Sequence, residues 1–244
     1  MKTKHEISLT AEQVGEVLAP IVGVVLNMKP ERAQYWIGRK KKLASEIGKV
    51  LIGENPYTDL IVDWQNFWRE LDGLDSKEHN FSDIHIPEKP GEGNRRLLIM
   101  DDIALEILYA KCKELFSCWR WTNNNFDRII VHNERDAKNG PYAIWVKDEV
   151  EADEDLKNKS ANDIKAMMGI KTETLAERFV HELRYFKETG KHLDIKNITL
   201  CTGSRYDDGY VPDVYWYEGF GRLFVGWFGP GDAGDSLRSR SAVS

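Results

Sequence analysis

The sequence predicts an α+β fold, with a helical N-terminal region followed by a mainly antiparallel β-sheet covered by helices. Three observations predict it. Apolar residues recur at helical spacing from Val14 to Leu71. From Ile198 onward, aromatic and β-branched runs alternate with Gly, Asp and Pro, the pattern of strands joined by tight turns. Just before that block, Thr174-Leu175-Ala176-Glu177 forms a capping box ahead of an apolar stripe, which supplies a helix to cover the sheet.

In chain order, the capping box Thr10-Ala11-Glu12-Gln13 announces the first helix, and Val14, Val17, Leu18, Ile21 and Val25 follow at helical spacing. Pro20 predicts a bend or an end within it, because its ring removes a hydrogen bond and crowds the preceding turn. Pro30 opens a second helix where a missing N–H costs nothing. Its apolar set runs Ala33, Trp36, Ile37, Leu43, Ala44, Ile47, Val50 and Leu51, and Gly53 supplies the stop. A third helix starts near Thr58 and carries the cleanest stripe of the chain: Leu60, Ile61, Trp64, Phe67, Trp68 and Leu71, with Gly73 ending it. The stretch after it is polar and holds Pro87, Pro90, Gly91 and Gly93. Residues 76–95 therefore read as an exposed linker between a helical region, 1–75, and an α+β domain, 96–244.

Beyond the linker, Leu97–Met100 is a short buried strand. Asp101 or Asp102 is expected to cap the next helix, whose inner face is Ala104, Ile107, Leu108, Cys112 and Leu115. Arg128–His132 and Tyr142–Val146 read as strands, with Asn139-Gly140-Pro141 turning the chain before the second. Ser160 to Asp163 opens a short helix carrying Ile164, Met167 and Met168. After Thr174, the residues Leu175, Phe179, Leu183 and Phe186 share one face, and Gly190 stops that helix. The closing block reads as strand Ile198–Cys201, a polar turn Arg205–Gly209, then strands around Val214–Tyr217 and Leu223–Phe228.

Composition narrows the function classes. With 41% hydrophobic and 30% charged residues, the chain has the balance of a folded globular protein rather than a disordered one. A net charge of −6 argues against nucleic-acid binding through the overall field, although a local basic face remains open. Cys112, Cys118 and Cys201 are odd in number and sit in apolar surroundings, which predicts buried thiols in a reducing compartment. The longest apolar stretch, Val17–Leu26, is too short to span a membrane, and the charged start, Met1–Glu6, adjoins no apolar core of a secretory signal. A cytoplasmic location is the expectation.

No catalytic residue, metal ligand set or cofactor motif is predicted. None of His5, His79, His85, His132, His181 and His192 stands at metal-ligand spacing from another ligand, and His181 reads as an exposed or flanking residue of its helix. The acidic run Asp148, Glu149, Glu151, Asp153, Glu154 and Asp155 lacks the spacing of a calcium loop and reads as a solvated connection. The glycines after Gly203 read as turns and bulges rather than a phosphate loop.

Two surfaces are candidates for binding. Trp216 and Trp227 lie in the closing hairpin with Arg205, Asp207, Asp208 and Asp213 at its rim, a set that suits a sugar, a base or a peptide. The simpler reading puts both indoles in the core under the helix Leu175–Phe186. A basic helix face with Arg39, Lys40, Lys41, Lys42 and Lys49 would track phosphates, with Arg39, Lys41 and Lys42 as the contacts, or else is simply solvated. Arg238 and Arg240 would serve the same partner or solubilise a tail.

Five stretches carry a resemblance: Tyr142–Asp155, Leu183–Asp194, Thr199–Arg205, Val211–Trp216 and Leu237–Ser244. They resemble an uncharacterised family of hypothetical proteins from candidate-phylum bacteria, with a weaker echo in Leu18–Val22. The resemblance implies a bacterial, non-secreted origin and transfers no functional residue.

Together these readings favour a non-catalytic binding or assembly module that meets a protein partner or itself, without a membrane. One alternative is a metal-dependent hydrolase or nuclease using carboxylates around 127–155, with Asp127, Glu134, Lys138 and Lys147 as its set. Nucleic-acid binding through the basic helix face 39–49 is the other, less favoured reading.

Overall fold

A computed structural model of the chain describes residues 11–51, 55–72, 79–91 and 93–244. With about 38% helix and 21% strand, the chain is α+β as predicted. It divides into two compact units, Met1–Asp59 and Leu60–Ser244.

The first unit contains α1 (Ala11–Leu26), α2 (Pro30–Ile37) and α3 (Lys40–Leu51). Pro20 neither ends nor interrupts α1, which gives up one backbone hydrogen bond there and continues. The predicted second helix is two. Gly38 has no side chain to hold the helical turn, and the N–H groups of Gly38 and Arg39 close on the carbonyls of Gln34 and Trp36 before α3 begins. Thr10, Gly53 and Gly73, expected as cap and stops, lie outside the described residues. Among the described residues, no helix is long and apolar enough to cross a membrane.

The second unit runs through α4 (Thr58–Asp72), β1 (Arg95–Met100), α5 (Leu105–Leu115), β2 (Cys118–Arg120), α6 (Phe126–Ile129) and β3 (Ile130–Asn133). It continues with β4 (Tyr142–Lys147), α7 (Ala161–Ala166), α8 (Leu175–Thr189), β5 (Ile198–Leu200) and β6 (Ser204–Tyr206). The last elements are β7 (Val211–Tyr217), β8 (Arg222–Phe228), β9 (Leu237–Arg238) and β10 (Ala242–Val243).

The division after residue 59 falls in the first turn of α4, whereas the sequence places its linker at 76–95. The aromatic stripe of α4 explains the difference. Trp64, Phe67, Trp68 and Leu71 are buried, and Trp68 Nε1 donates to the Ile99 carbonyl at 2.8 Å. Part of the supposed linker joins the same core: His79 stacks on Trp68, Phe81 is buried beside it, and the Pro87 carbonyl accepts from Trp145 Nε1.

Strands β1, β4 and β10 form an antiparallel sheet in which Leu98 faces Ile144. A five-stranded sheet has the order β2-β8-β7-β5-β9, with the β8–β7–β5 centre antiparallel and both edge strands parallel to their neighbours. Strands β3 and β6 form a separate pair. Helix α8 packs against α5, β1 and β7 and so touches both larger sheets.

Cap chemistry is local for α7 and α8: Thr174–Glu177 forms the predicted box, and Ser160–Asp163, read as opening its helix, forms one too. Gly190 closes α8 in the left-handed region at φ 67°. At α5 the cap comes from elsewhere. Neither Asp101 nor Asp102 serves; both oxygens of Asp127 accept the N–H groups of Leu105 and Glu106 at 2.7 and 3.2 Å. The buried face of α5 is accordingly Leu105, Leu108, Tyr109 and Cys112, leaving Ile107 and Leu115 exposed.

The core also holds ionisable residues that the sequence reading put at the surface. His181 is fully buried and meets Glu173 at 2.8 Å. Burial pushes Glu173 up to about 8 and His181 below its usual range, so both favour the neutral form at pH 7. Asp194 receives Arg178, Arg240 and Thr199, all buried, which makes Arg240 a core residue rather than part of a solubilising tail. Asp153, from the acidic run, is likewise buried, holding the Ser241 N–H and hydroxyl with Lys147 at 3.4 Å.

Candidate functional site

The β7–β8 hairpin sorts its side chains by the period of two. Val211, Asp213, Tyr215 and Tyr217 pair with Phe228, Gly226, Phe224 and Arg222 on one face, while Pro212, Val214 and Trp216 pair with Trp227, Val225 and Leu223 on the other. The second face is the inner one: Val214, Leu223 and Val225 are fully buried. Trp216 lies there, its indole stacked on His192 at 3.3 Å between centroids, with Phe116 and Phe186 around the pair. Trp227, near the far end of the strand, escapes that cover and is 45% exposed, packed on Tyr210 and Trp121.

The two indoles expected to act together are therefore separated, and a different aromatic set gathers on the outer face. The parallel pairing of β2 with β8 puts Trp119 opposite Phe224, with ring centroids 5.0 Å apart, and Tyr215 stacks on the other side of Phe224. Trp119, Trp121, Tyr215, Phe224 and Phe228 line a groove of about 220 Å³, open to solvent, and Trp227 borders it although its register puts it on the opposite face of the ladder. The strip continues past it through Tyr217 and Phe220, which is 63% exposed.

Asp213 lies in the floor of this groove, where Gly226 opposite leaves room for its carboxylate. It is 2% exposed and accepts no hydrogen bond from any described residue. Burial alone pushes its carboxyl up to about 7. The other buried carboxylates of this unit each have at least one partner, although one oxygen of Asp153 and one of Glu173 have none. Glu177 holds Arg135, Tyr142 and its own cap N–H, Glu182 holds Arg178 and His192, and Asp194 holds three side chains.

The remaining predicted rim residues lie elsewhere. The Arg205 guanidinium donates to the Thr202 and Ser204 carbonyls beside His132 and Glu134. Asp207 and Asp208 are exposed in the β6–β7 turn, where Asp208 accepts the Tyr210 N–H. Of the six candidates, the structure brings only Asp213 and Trp227 together. Sequence reasoning missed Trp119, Trp121, Tyr215, Phe224 and Gly226. The spacing of Trp119 and Trp121, two residues apart, was the available signal for one strand face.

A larger cleft, about 400 Å³, opens between the start of α5, the β3–β4 connection and α8. Its polar groups are mostly engaged with one another: Asp127 caps α5, Asp101 meets His79 at 2.6 Å, and Arg135 clasps Glu177. The hydrolase set is dispersed in the same way. Asp127 is a cap, Glu134 lies 3.9 Å from Arg135, Lys138 faces Asp136 and Lys147 binds Asp155. Among the described residues, no group of three or more His, Cys, Asp or Glu side chains stands where it would hold a metal ion. On the first unit, Arg39, Lys40, Lys41 and Lys42 are exposed, with the Arg39 guanidinium over the Tyr35 ring at 4.2 Å; the side chain of Lys49 lies outside the described ones.

In comparisons with protein-family models, curated proteins and solved structures, nothing matches the chain.

Proposed function

We propose that the chain is a non-catalytic binding module that receives its ligand on the outer, aromatic face of the five-stranded sheet. One observation carries the reading: a buried carboxylate, Asp213, lacks any donor from the protein and opens into a groove walled by aromatic rings. A buried polar group without a hydrogen bond costs roughly 1–3 kcal/mol, more when charged. A ligand that supplies the donor removes that cost, while the rings supply area and orientation. Groups acting as nucleophile and base would need to converge at such a site, and Asp213 is the one ionisable side chain in the groove besides Tyr215.

The test is chemical-shift mapping by NMR on the full chain against a library of short peptides, sugars and nucleosides. Ligands are expected to shift the amides of Asp213, Tyr215 and Gly226 and to lose affinity at least tenfold in Trp119→Ala, with the circular dichroism unchanged. Hits clustering on the cleft beside Arg135, or indifferent to Trp119, would sink the reading.

A further inference from the structure

We propose that the group entering the groove is the cationic side chain of an arginine or lysine carried by a basic peptide, an inference that rests on the binding reading above. The carboxylate of Asp213 needs both a hydrogen-bond donor and a counter-charge, and no described residue brings it either. The faces of Trp119, Tyr215 and Phe224 carry the negative lobe of the ring quadrupole, which attracts a cation set among them. Carboxylate and rings therefore select the same ligand property.

Donor chemistry sharpens the class. A quaternary ammonium has no N–H and would leave the carboxylate without a hydrogen bond, whereas a guanidinium or primary ammonium supplies it. Size agrees, because about 220 Å³ holds one side-chain head and falls below the roughly 300–1,000 Å³ of pockets for whole small molecules. A free polyamine brings several cations, and the groove offers a single carboxylate. The apolar stem of Lys or Arg would lie along the aromatic walls.

A peptide also accounts for the strip beyond the groove. Tyr217 and Phe220 extend the apolar surface along the hairpin, where neighbouring peptide residues would lie. The same face already holds one cation over a ring, Arg222 above Phe220 at 5.6 Å. The net charge of −6 favours the approach of a basic partner.

The experiment titrates the full chain at pH 8 and low salt, following tryptophan fluorescence and calorimetry. The probes are the blocked tripeptide Gly-Arg-Gly, its neutral citrulline counterpart, the matching lysine and acetyl-lysine pair, and tetramethylammonium. The cationic peptides are expected to bind at least tenfold more tightly than their neutral counterparts and than tetramethylammonium. Asp213→Asn should erase that preference, and Trp119→Ala should weaken all binding. Equal binding of citrulline and arginine peptides, or a preference that survives Asp213→Asn, overturns the proposal. If both peptides bind equally and both depend on Trp119, the groove reading stands and the cation is wrong. If no peptide binds at millimolar concentration, the cation proposal fails and the library mapping decides the groove. The wild-type comparison of paired peptides keeps the test valid even if a variant misfolds.

Discussion

Asp213 and Gly226 face each other across the antiparallel β7–β8 ladder, and the Asp213 carboxylate fills the space that a side chain at 226 would take. A Cβ on residue 226 would lie 2.7 Å from Oδ1. Gly226→Ala is therefore expected to destabilise the fold by about 1–3 kcal/mol, the usual range for overpacking. The cost should shrink when Asp213→Gly is added. A double-mutant cycle by urea unfolding reads the coupling, and additive effects would show that the two residues do not share this space.

The protonation of Asp213 links stability to pH. Its folded value, about 7, lies above the ordinary 3.8, so its contribution is full below the unfolded value and is lost as pH rises through the folded one. Cys201, Tyr206 and Tyr215, its titratable neighbours, are all pushed up by burial, out of this window. Between pH 4 and 8, Asp213→Asn should gain on the wild type by up to roughly 4 kcal/mol, at about 1.36 kcal/mol per pKa unit. Parallel unfolding curves at pH 4 and 8 would contradict this.

The tryptophans of the hairpin and its edge strand should separate by burial in mutagenesis. Trp216→Ala removes a half-buried ring stacked on His192 and is expected to cost about 3 kcal/mol, the low end for a core tryptophan. Trp119→Ala and Trp227→Ala remove half-exposed rings and should leave a folded chain within about 1 kcal/mol of wild type. Thermal unfolding compares the three.

Asp194→Ala tests the buried ion cluster. It would leave Arg240, buried, with only the Glu149 and Val150 carbonyls, and Arg178, also buried, with Glu182 alone. Removing one partner of such a pair typically costs about 3–5 kcal/mol, so a severe loss of folded protein is expected. A variant with unchanged denaturation midpoint would show that the cluster contributes little.

Much of the secondary structure was legible because its signals are local. Caps at Ser160 and Thr174, the stop at Gly190 and the stripe of α4 each depend on residues within a few positions of one another. Where the cause lies far along the chain, the reading failed. The cap of α5 comes from Asp127, and the rotated inner face of α5 follows from that anchoring and from Phe126 packed on Tyr109. His181, Arg240 and Asp153 looked like surface residues because their partners, Glu173, Asp194 and Ser241, include residues remote in sequence.

By itself, the sequence determined the α+β class, the longer helices and strands, and the presence of an aromatic closing hairpin, but not the short strands β2, β6, β9 and β10 or the turn of helix α6 within the stretch read as a strand. Tertiary structure decided which side of that hairpin faces out. The pairing of β2 with β8 brings Trp119 beside Phe224, and Gly226 opposite Asp213 makes room for its carboxylate. Periodicity says that alternate residues share a face, but only the partner strands and the helix on the inner side say which face is left open.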